Sequence, residues 1–496
     1  MIRNVENQTM TATLGHSLTV HQRKDPAMAT QTSGQTADGD HQEPRYRQQL
    51  SRALGMGENI LITLSSVTPA SSVFIIIPSI LLAAGGASVL TLAIAAVASV
   101  FIGLCYAELA ATFPITGGEY TWAARLLGRP VGFALFALTL VNGVLIISVI
   151  ALGTGDYLGV AIPQLGGKWV GIGVIVVTTG IAILNIKANA WVTGVFLCIE
   201  IAAIAVLVFL GFANAERGPS EWVHAITMTD GGTAPVGPGA LAALIPVALF
   251  GYNGYGAAVY YAEETKNATR TIGRVIMVCL AATVAIEILP LAAVVLGAPS
   301  MTDLLSSPAP MNYFLTARGG STVNTLVSVG IAIAIVNAVI AIILQISRLV
   351  FASARDRSWP EPIDRALGTV HPRWHTPVVA TIVVGASATV AAAVLPLSWL
   401  ITATGAGLVL VYLFVALAAF RVRGRPSSGG YRMPLWPLPP IIVVAAMGYA
   451  GYSVLDAAWE QMVVAVVAML LGCAYYLLYL RPRPDRWRLP DPIQES

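Results

Sequence analysis

The chain of 496 residues is 56% hydrophobic and only 11% charged, with a mean hydropathy of +0.74. This composition excludes a soluble globular protein and predicts a polytopic membrane protein. The formal net charge of +3 is small, so the placement of the charges matters more than their sum.

The first 52 residues are polar and poor in aromatic side chains, and they contain no apolar segment of the signal-peptide type. We expect them to form a disordered cytoplasmic tail. Twelve apolar segments follow, each suited to cross a bilayer as a helix. These predicted spans lie near 59–83, 87–110, 131–155, 168–186, 190–213, 240–262, 273–297, 322–350, 377–395, 398–420, 438–456 and 460–480.

An even number of spans places both termini on the same side of the membrane. When the N-terminal tail is assigned to that side, only Lys168, Arg217 and Arg318 of the 28 lysines and arginines fall on the other side. Positive charge is retained on the cytoplasmic side of membrane proteins. The sequence therefore predicts a multi-pass protein of the plasma (inner) membrane with both termini in the cytoplasm.

Spans 1 and 6 each contain residues that interrupt a helix. Pro69 in span 1 removes a backbone donor and collides with the preceding turn. Span 6 carries three glycines between positions 251 and 256, which makes the segment easy to unwind. Lipid cannot satisfy the freed backbone groups, so such breaks persist only where they line a cavity. Two interrupted spans in corresponding halves are typical of a transporter binding site.

Spans 1 and 6 are five spans apart and therefore run in opposite directions. This relationship predicts an all-α membrane protein built from a five-plus-five inverted repeat with broken helices 1 and 6 and two appended helices. The predicted divisions are the tail at 1–52, the first repeat at 53–213 (helices 1–5), the second repeat at 214–420 (helices 6–10), the appended helices at 421–480 and a cytoplasmic C-terminal tail at 481–496.

Four parts of the chain resemble a known family. They are Tyr106-Ala-Glu-Leu109 with Pro114-Ile-Thr-Gly-Gly-Glu-Tyr120, Asn185-Ile-Lys187, Phe250-Gly-Tyr-Asn-Gly-Tyr255 with Glu263-Glu-Thr-Lys-Asn267, and Ser347-Arg-Leu-Val-Phe351 with Ala354-Arg-Asp356 and Pro360. Through them the chain resembles the amino acid–polyamine–organocation superfamily, whose permeases have the LeuT-like fold. Ala70-Ser71-Ser72 stands where that family usually has a Gly-Ser-Gly type sequence, and this version resembles the branch of GABA, choline and related permeases.

The resemblance implies that the substrate binds at the two breaks. The N-terminus of a half-helix suits a carboxylate, and freed carbonyls suit an ammonium group. The mid-span amides of spans 3 and 8 are further pocket candidates, with interhelical hydrogen bonds as the alternative. The predicted substrate-binding residues are Thr68, Ala70, Ser71, Ser72, Asn142, Phe250, Gly251, Tyr252, Asn253, Gly254, Tyr255 and Asn337, with Tyr252 and Tyr255 also as candidate gates.

Two acidic residues lie inside predicted spans, Glu200 in span 5 and Glu287 in span 7. An ionised side chain at the bilayer centre costs about 2.5–3.5 kcal/mol on insertion scales, so burial favours the neutral, protonated form. A carboxyl that loads and releases a proton is what proton coupling requires. By the resemblance, Glu200 lies where many relatives carry a coupling lysine. A permanent interhelical hydrogen bond, or binding of a substrate amine, stays open for both residues.

Further acidic residues follow at the predicted cytoplasmic ends of spans, where they are candidates for inner-gate salt bridges or plain solvated charges. They are Glu108, Glu119, Glu263, Glu264 and Asp356.

Together these features predict a secondary transporter that imports an amino acid or a small amino compound such as GABA, coupled to protons. A substrate/product exchanger, a polyamine- or choline-type cation permease and a permease-like nutrient sensor are the alternatives. An enzyme is not expected, because the glycine pairs lack the strand–turn–helix context of a phosphate loop. The expected partners are the solute, the proton and membrane lipid, without a cofactor, a metal or nucleic acid.

Overall fold

The computed structural model describes residues 54–114, 117–184, 190–230, 232–374, 376–423, 430–487 and 489. Most of these residues are helical. Among them, ten helical segments are long and apolar enough to cross a membrane: Met56–Ala84, Ser88–Thr112, Arg129–Ala161, Gly194–Ala213, Pro238–Ala262, Ala268–Gly297, Pro310–Arg355, Leu397–Val422, Leu438–Ala457 and Trp459–Leu480.

Two shorter apolar helices, Lys168–Ile183 and Val378–Val394, lie at the predicted positions of spans 4 and 9. The protein is therefore a polytopic helical membrane protein. The count of twelve crossings, the inverted repeat and the domain divisions stay predictions. The predicted N-terminal tail and the Asn185-Ile-Lys187 segment lie outside the described residues.

The helices are numbered in chain order. They are α1 Met56–Val67, α2 Pro69–Ser71, α3 Ile77–Ala84, α4 Ser88–Thr112, α5 Glu119–Leu126, α6 Arg129–Ala161, α7 Lys168–Ile183, α8 Ala190–Ala213, α9 Pro238–Ala243, α10 Ile245–Gly251, α11 Ala268–Gly297, α12 Met301–Ser306, α13 Pro310–Arg355, α14 Glu361–Leu367, α15 Val378–Val394, α16 Leu397–Val422, α17 Leu438–Ala457 and α18 Trp459–Tyr475. Short 3₁₀ helices span Pro163–Leu165, Pro219–Val223 and Tyr255–Glu264, and π-helical turns span Ser72–Ile76 and Tyr476–Leu480.

A β-hairpin departs from the all-helical prediction. Strands β1 (Ile226–Thr229) and β2 (Gly232–Pro235) pair antiparallel, with Ile226 opposite Pro235. The hairpin lies in the connection between α8 and α9. Three of the four residues of β1 are β-branched, namely Ile226, Thr227 and Thr229, which favours extended backbone. The hairpin is too short and too polar to resemble a membrane span.

Helix α13 also extends further than the predicted span 8. It begins at Pro310 and runs for 46 residues, but Gly320 within it has φ 80° and ψ 172°. These angles are not helical and are readily accessible only to glycine. The element therefore consists of two helices that meet at Gly320, and the second of them corresponds to the predicted span.

Small residues allow the helices to approach closely. Helix α11 packs against α4 and α8, and α13 packs against α6. At the contact of α8 with α11, a Cβ added to Gly211 would lie 2.4 Å from the backbone of Ala293, and one added to Gly297 would lie 2.4 Å from the carbonyl oxygen of Gly211. Such backbone contacts are typical of helix packing in membranes.

The beginning of the predicted C-terminal tail packs on the helices. Trp487 is buried, and its ring makes an edge contact with Phe133 at a centroid distance of 5.2 Å. The guanidinium of Arg486 forms a 3.0 Å ion pair with Asp364 of α14. The chain therefore stays attached to α6 and α14 at least as far as residue 487.

Candidate functional site

Span 1 is interrupted at Thr68, where the backbone takes a left-handed conformation with φ 52° and ψ 62°. Helix α1 ends there, and Pro69 begins the next helical segment at a position where a backbone N–H would have no helical partner. The chain then stays helical through residue 84. The first amides of this second segment are therefore available to groups outside the helix.

One of these amides is occupied by a side chain of the protein. The Ala70 N–H donates to the Glu200 carboxylate at 3.0 Å. Glu200 lies on α8, which packs against this segment, and it is only 2% exposed. Free N–H groups and the dipole at a helix start favour negative charge. A carboxylate of the protein thus lies where a substrate carboxylate was predicted to bind.

Span 6 is also interrupted, and its interruption lies against the interruption of span 1. Helix α10 ends at Gly251, and the chain resumes as a 3₁₀ helix at Tyr255. Between them, Gly254 has φ 118°, a conformation that residues with a Cβ rarely adopt. The Ser72 hydroxyl donates to the Gly251 carbonyl at 2.9 Å. This hydrogen bond joins the two interrupted segments.

Glu287 on α11 is fully buried beside the same junction. A Cβ added to Gly251 would lie 3.1 Å from its Oε2. Neither of its carboxyl oxygens has a hydrogen-bond partner within the described residues, since the Ser72 hydroxyl is directed to Gly251. The two intramembrane carboxyls therefore differ, because Glu200 binds a backbone amide and Glu287 accepts no such bond.

A cavity of about 110 Å³ lies beside the interruption of span 6. Its walls come from α1, α4, α5, α6, α13, α16 and the 3₁₀ segment that follows Gly254. The lining residues are Ser66, Tyr106, Glu119, Thr139, Asn142, Gly143, Ile146, Asn253, Gly254, Tyr255, Gly256, Ala257, Tyr260, Ile342, Gln345, Ile346, Leu408, Val411 and Tyr412.

Four of the predicted substrate-binding residues line this cavity: Asn142, Asn253, Gly254 and Tyr255. The amide oxygen of Asn253 accepts a 3.2 Å hydrogen bond from the Tyr412 hydroxyl. The Asn142 side chain is buried, and its Nδ2 has no hydrogen-bond partner in the described part of the chain.

The other predicted binding residues do not line the cavity. Tyr252 is buried and its hydroxyl donates to the Leu92 carbonyl at 3.0 Å, which gives it an interhelical contact rather than a place in the cavity wall. Asn337 is half-buried on α13. Thr68, Ala70, Ser71, Ser72, Phe250 and Gly251 are buried at the two interruptions. Their roles in substrate binding stay predictions.

Most of the described lining residues, including the charged Glu119, were not placed in the binding site from the sequence. Glu119 is considered first. It begins α5, and its two carboxylate oxygens accept hydrogen bonds from the hydroxyls of Tyr106, at 2.9 Å, and Tyr260, at 3.1 Å. The sequence assigned Glu119 to the inner-gate candidates, but it forms no ion pair with a described residue. The available signal was its position inside the Pro114–Tyr120 motif, directly after Gly117 and Gly118.

The environment of Glu119 changes its acidity. Burial raises the pKa of its carboxyl above the usual value of 4.5, because the ionised form loses hydration. Hydrogen bonds from its own backbone and from the hydroxyls of Tyr106 and Tyr260 oppose this effect without cancelling it.

The sequence comparisons agree with this architecture. A family model described as amino acid permease matches residues 54–478. An uncharacterized transporter of Mycobacterium tuberculosis is 28% identical over 86% of this chain and 90% of its own. The branched-chain amino acid permease BcaP of Bacillus subtilis is 24% identical over 87% of this chain and 94% of its own. The cationic amino acid transporter 4 of Homo sapiens is 26% identical over 70% of this chain and 55% of its own.

The apolar helices and the two facing interruptions define a multi-pass membrane protein of the permease class. The chain belongs to the amino acid permease family, and the resemblance to the amino acid–polyamine–organocation superfamily drawn from its motifs is confirmed.

Proposed function

We propose that this protein imports an amino acid or a small amino compound across the plasma membrane, with both termini in the cytoplasm, and that an inward-moving proton drives the import. Family membership and the relatives named as amino acid permeases support the solute class. The observation that carries proton coupling is the 3.0 Å hydrogen bond from the Ala70 N–H to the Glu200 carboxylate.

The coupling follows from competition for one donor. A substrate carboxylate requires free amides at the start of the second half of span 1, and the ionised Glu200 occupies the amide of Ala70. Hydrogen bonds to an ionised acceptor are stronger than those to a neutral one. Protonation of Glu200 therefore weakens its bond to Ala70 and releases the amide for the substrate. Proton and substrate carboxylate then bind together, as symport requires.

The same segment is connected to span 6. Ala70 and Ser72 are two residues apart on one helical segment, and the Ser72 hydroxyl binds the carbonyl of Gly251. A shift of this segment after Glu200 is released therefore disturbs the contact between the interrupted spans. This is how occupancy of one amide can be coupled to a change in the relative position of the two spans.

The test is uptake of leucine, lysine and GABA into proteoliposomes of the full-length protein, with and without an inward-directed proton gradient. We expect the wild type to accumulate at least one of these solutes only with the gradient. Glu200→Gln keeps the size of the side chain but cannot ionise. We expect it to retain substrate binding in a thermal-shift assay and to lose gradient-driven accumulation.

One further variant is a control and another tests the second carboxyl. Glu361→Gln removes an exposed carboxylate paired with Arg365 and should leave uptake unchanged. Glu287→Gln removes the other intramembrane carboxyl and tests it as the coupling group. Full gradient-driven accumulation by Glu200→Gln excludes Glu200 as the coupling residue. Uptake that requires substrate trapped inside the proteoliposomes and does not depend on the proton gradient identifies an exchanger instead.

A further inference from the structure

The cavity beside span 6 has an unbalanced charge. Glu119 is its one charged lining residue among the described residues, and the rest of the lining is neutral. No described lysine, arginine or histidine forms an ion pair with it. A cleft lined by charge of one sign concentrates ions of the opposite sign. The cavity therefore attracts a cationic group.

Tyrosines surround this carboxylate. The hydroxyls of Tyr106 and Tyr260 donate to its two oxygens and fix its orientation. The Tyr106 ring also makes edge contacts with the rings of Tyr255 and Tyr412, each at a centroid distance of 6.1 Å. All four tyrosines line the cavity. Aromatic rings next to a carboxylate are a typical environment for organic ammonium groups, through charge attraction and cation–π contact.

The side-chain amide of Asn142, also in the cavity wall, lacks a hydrogen-bond acceptor among the described residues. The Asn142 side chain is 4% exposed and lines the same cavity, and its Nδ2 donates to no described atom. A buried donor without an acceptor destabilises the protein. An acceptor oxygen on a bound solute would satisfy it. The cavity therefore offers a carboxylate for a cationic group and, at Asn142, a donor for an acceptor atom of the same solute.

We propose that Glu119, with Tyr106, Tyr255, Tyr260 and Tyr412, forms a subsite for an alkylammonium group that is separate from the α-amino acid head group. Solutes of the lysine or diamine type are then better ligands than analogues of the same length that lack the terminal ammonium group. The inference rests on the proposed transport function for the passage of the solute, whereas binding requires only the cavity.

Three ligands measure the contribution of the terminal ammonium group to binding. L-Lysine and L-norleucine have the same carbon chain and differ in the terminal ammonium, and 1,5-diaminopentane keeps both ammonium groups but has no carboxylate. Their Kd values are measured by calorimetry on the purified full-length protein. We expect lysine to bind the wild type at least about tenfold more tightly than norleucine, as for a hydrogen bond to a charged group.

Glu119→Gln should weaken lysine and 1,5-diaminopentane by on the order of tenfold and leave norleucine within twofold of the wild type. Glu361→Gln, which changes an exposed carboxylate on α14, is the matched control and should change none of the three Kd values.

Equal wild-type affinity for lysine and norleucine overturns the subsite, and this measurement needs no variant that has to fold. Equal loss of lysine and norleucine binding in Glu119→Gln also overturns it. Norleucine transport without a preference for lysine would leave the proposed function intact. Conversely, 1,5-diaminopentane binding that depends on Glu119, in a protein that moves no amino acid, would support the subsite and contradict the transport proposal. Absence of lysine and 1,5-diaminopentane binding in the wild type refutes the subsite.

Discussion

Gly254 lies directly on the backbone of Val67, so that the interrupted parts of spans 1 and 6 cross without a side chain between them. A Cβ added at position 254 would be 2.7 Å from the Cα of Val67 and 3.0 Å from the carbonyl oxygen of Ser66. Both neighbours are backbone atoms and cannot rotate away. The left-handed φ of 118° at Gly254 adds a second reason why a residue with a side chain does not fit.

We therefore expect Gly254→Ala to lower the free energy of unfolding by about 2–5 kcal/mol, from overpacking and from left-handed strain. Gly254→Leu should in addition abolish substrate binding. Denaturant unfolding in detergent and calorimetric binding measure the two effects. Gly239→Ala is the control, since Gly239 is exposed on α9 and a Cβ added there would have no atom within 4 Å. Wild-type stability in Gly254→Ala, or wild-type affinity in Gly254→Leu, would show that the crossing is looser than the structure indicates.

Loss of the hydrogen bond between Ser72 and Gly251 should lower the free energy of unfolding by a smaller amount. Ser72→Ala removes the donor and leaves the Gly251 carbonyl buried, so the free energy of unfolding should fall by about 1–3 kcal/mol. Ser387→Ala is the control, because within the described part of the chain the Ser387 hydroxyl donates only to the Val383 carbonyl of its own helix. A loss of stability of the same size in both variants would mean that the bond between the spans contributes nothing of its own.

An ion pair joins α4 to Arg423, the residue that directly follows α16. The Glu108 carboxylate accepts hydrogen bonds from the Arg423 guanidinium at 2.7 Å and from the Met433 N–H at 3.3 Å. Glu108 is buried, whereas Arg423 is 27% exposed and partly hydrated. We expect Glu108→Gln to cost about 1–3 kcal/mol of unfolding free energy, below the loss for a fully buried pair.

The double variant Glu108→Gln/Arg423→Gln measures the coupling between the two side chains. Glu361→Gln, which breaks an exposed pair with Arg365, should change stability by less than about 0.5 kcal/mol. Additive losses in the double-mutant cycle would contradict a specific ion pair.

The positions of the two interruptions could be predicted because they depend on local sequence. Pro69 and the glycines between 251 and 256 act on their own segments of backbone, and the structure interrupts both helices there. The pairing of Glu108 with Arg423 could not be predicted in the same way. The two residues are 315 positions apart, and their contact depends on how α4 and α16 rotate about their axes.

The candidate site was predicted only in part, because some of its residues depend on local sequence and others on the packing of distant segments. Asn253, Gly254 and Tyr255 belong to an interruption that the sequence locates, and they line the cavity. Glu119 follows a glycine pair in a connection between spans. Its direction into the cavity depends on Gly118, with φ 61°, and on the tyrosines contributed by α4 and the 3₁₀ segment of span 6. Sequence alone identified Glu119 as a charge near a span end and could not supply that geometry.

The acidity of Glu119 predicts how cation binding varies with pH. Its pKa lies above the usual 4.5 because burial penalises the ionised carboxylate. As the pH falls, Glu119 is therefore protonated earlier than an exposed glutamate and loses its attraction for cations. The probe 1,5-diaminopentane stays doubly protonated across the range from about pH 8 to about pH 4, so its own charge does not change.

We expect the affinity of the wild type for this diamine to be highest near pH 8 and to fall progressively toward pH 4. In Glu119→Gln the affinity should be lower at pH 8 and should change less with pH, and the two proteins should converge in acid. Any pH dependence of the affinity that remains in Glu119→Gln arises from other titratable groups, such as Glu200 and Glu287, which both proteins share. Calorimetric titrations at matched ionic strength provide the comparison. Parallel pH profiles for the two proteins would show that the proton and the diamine do not compete at Glu119.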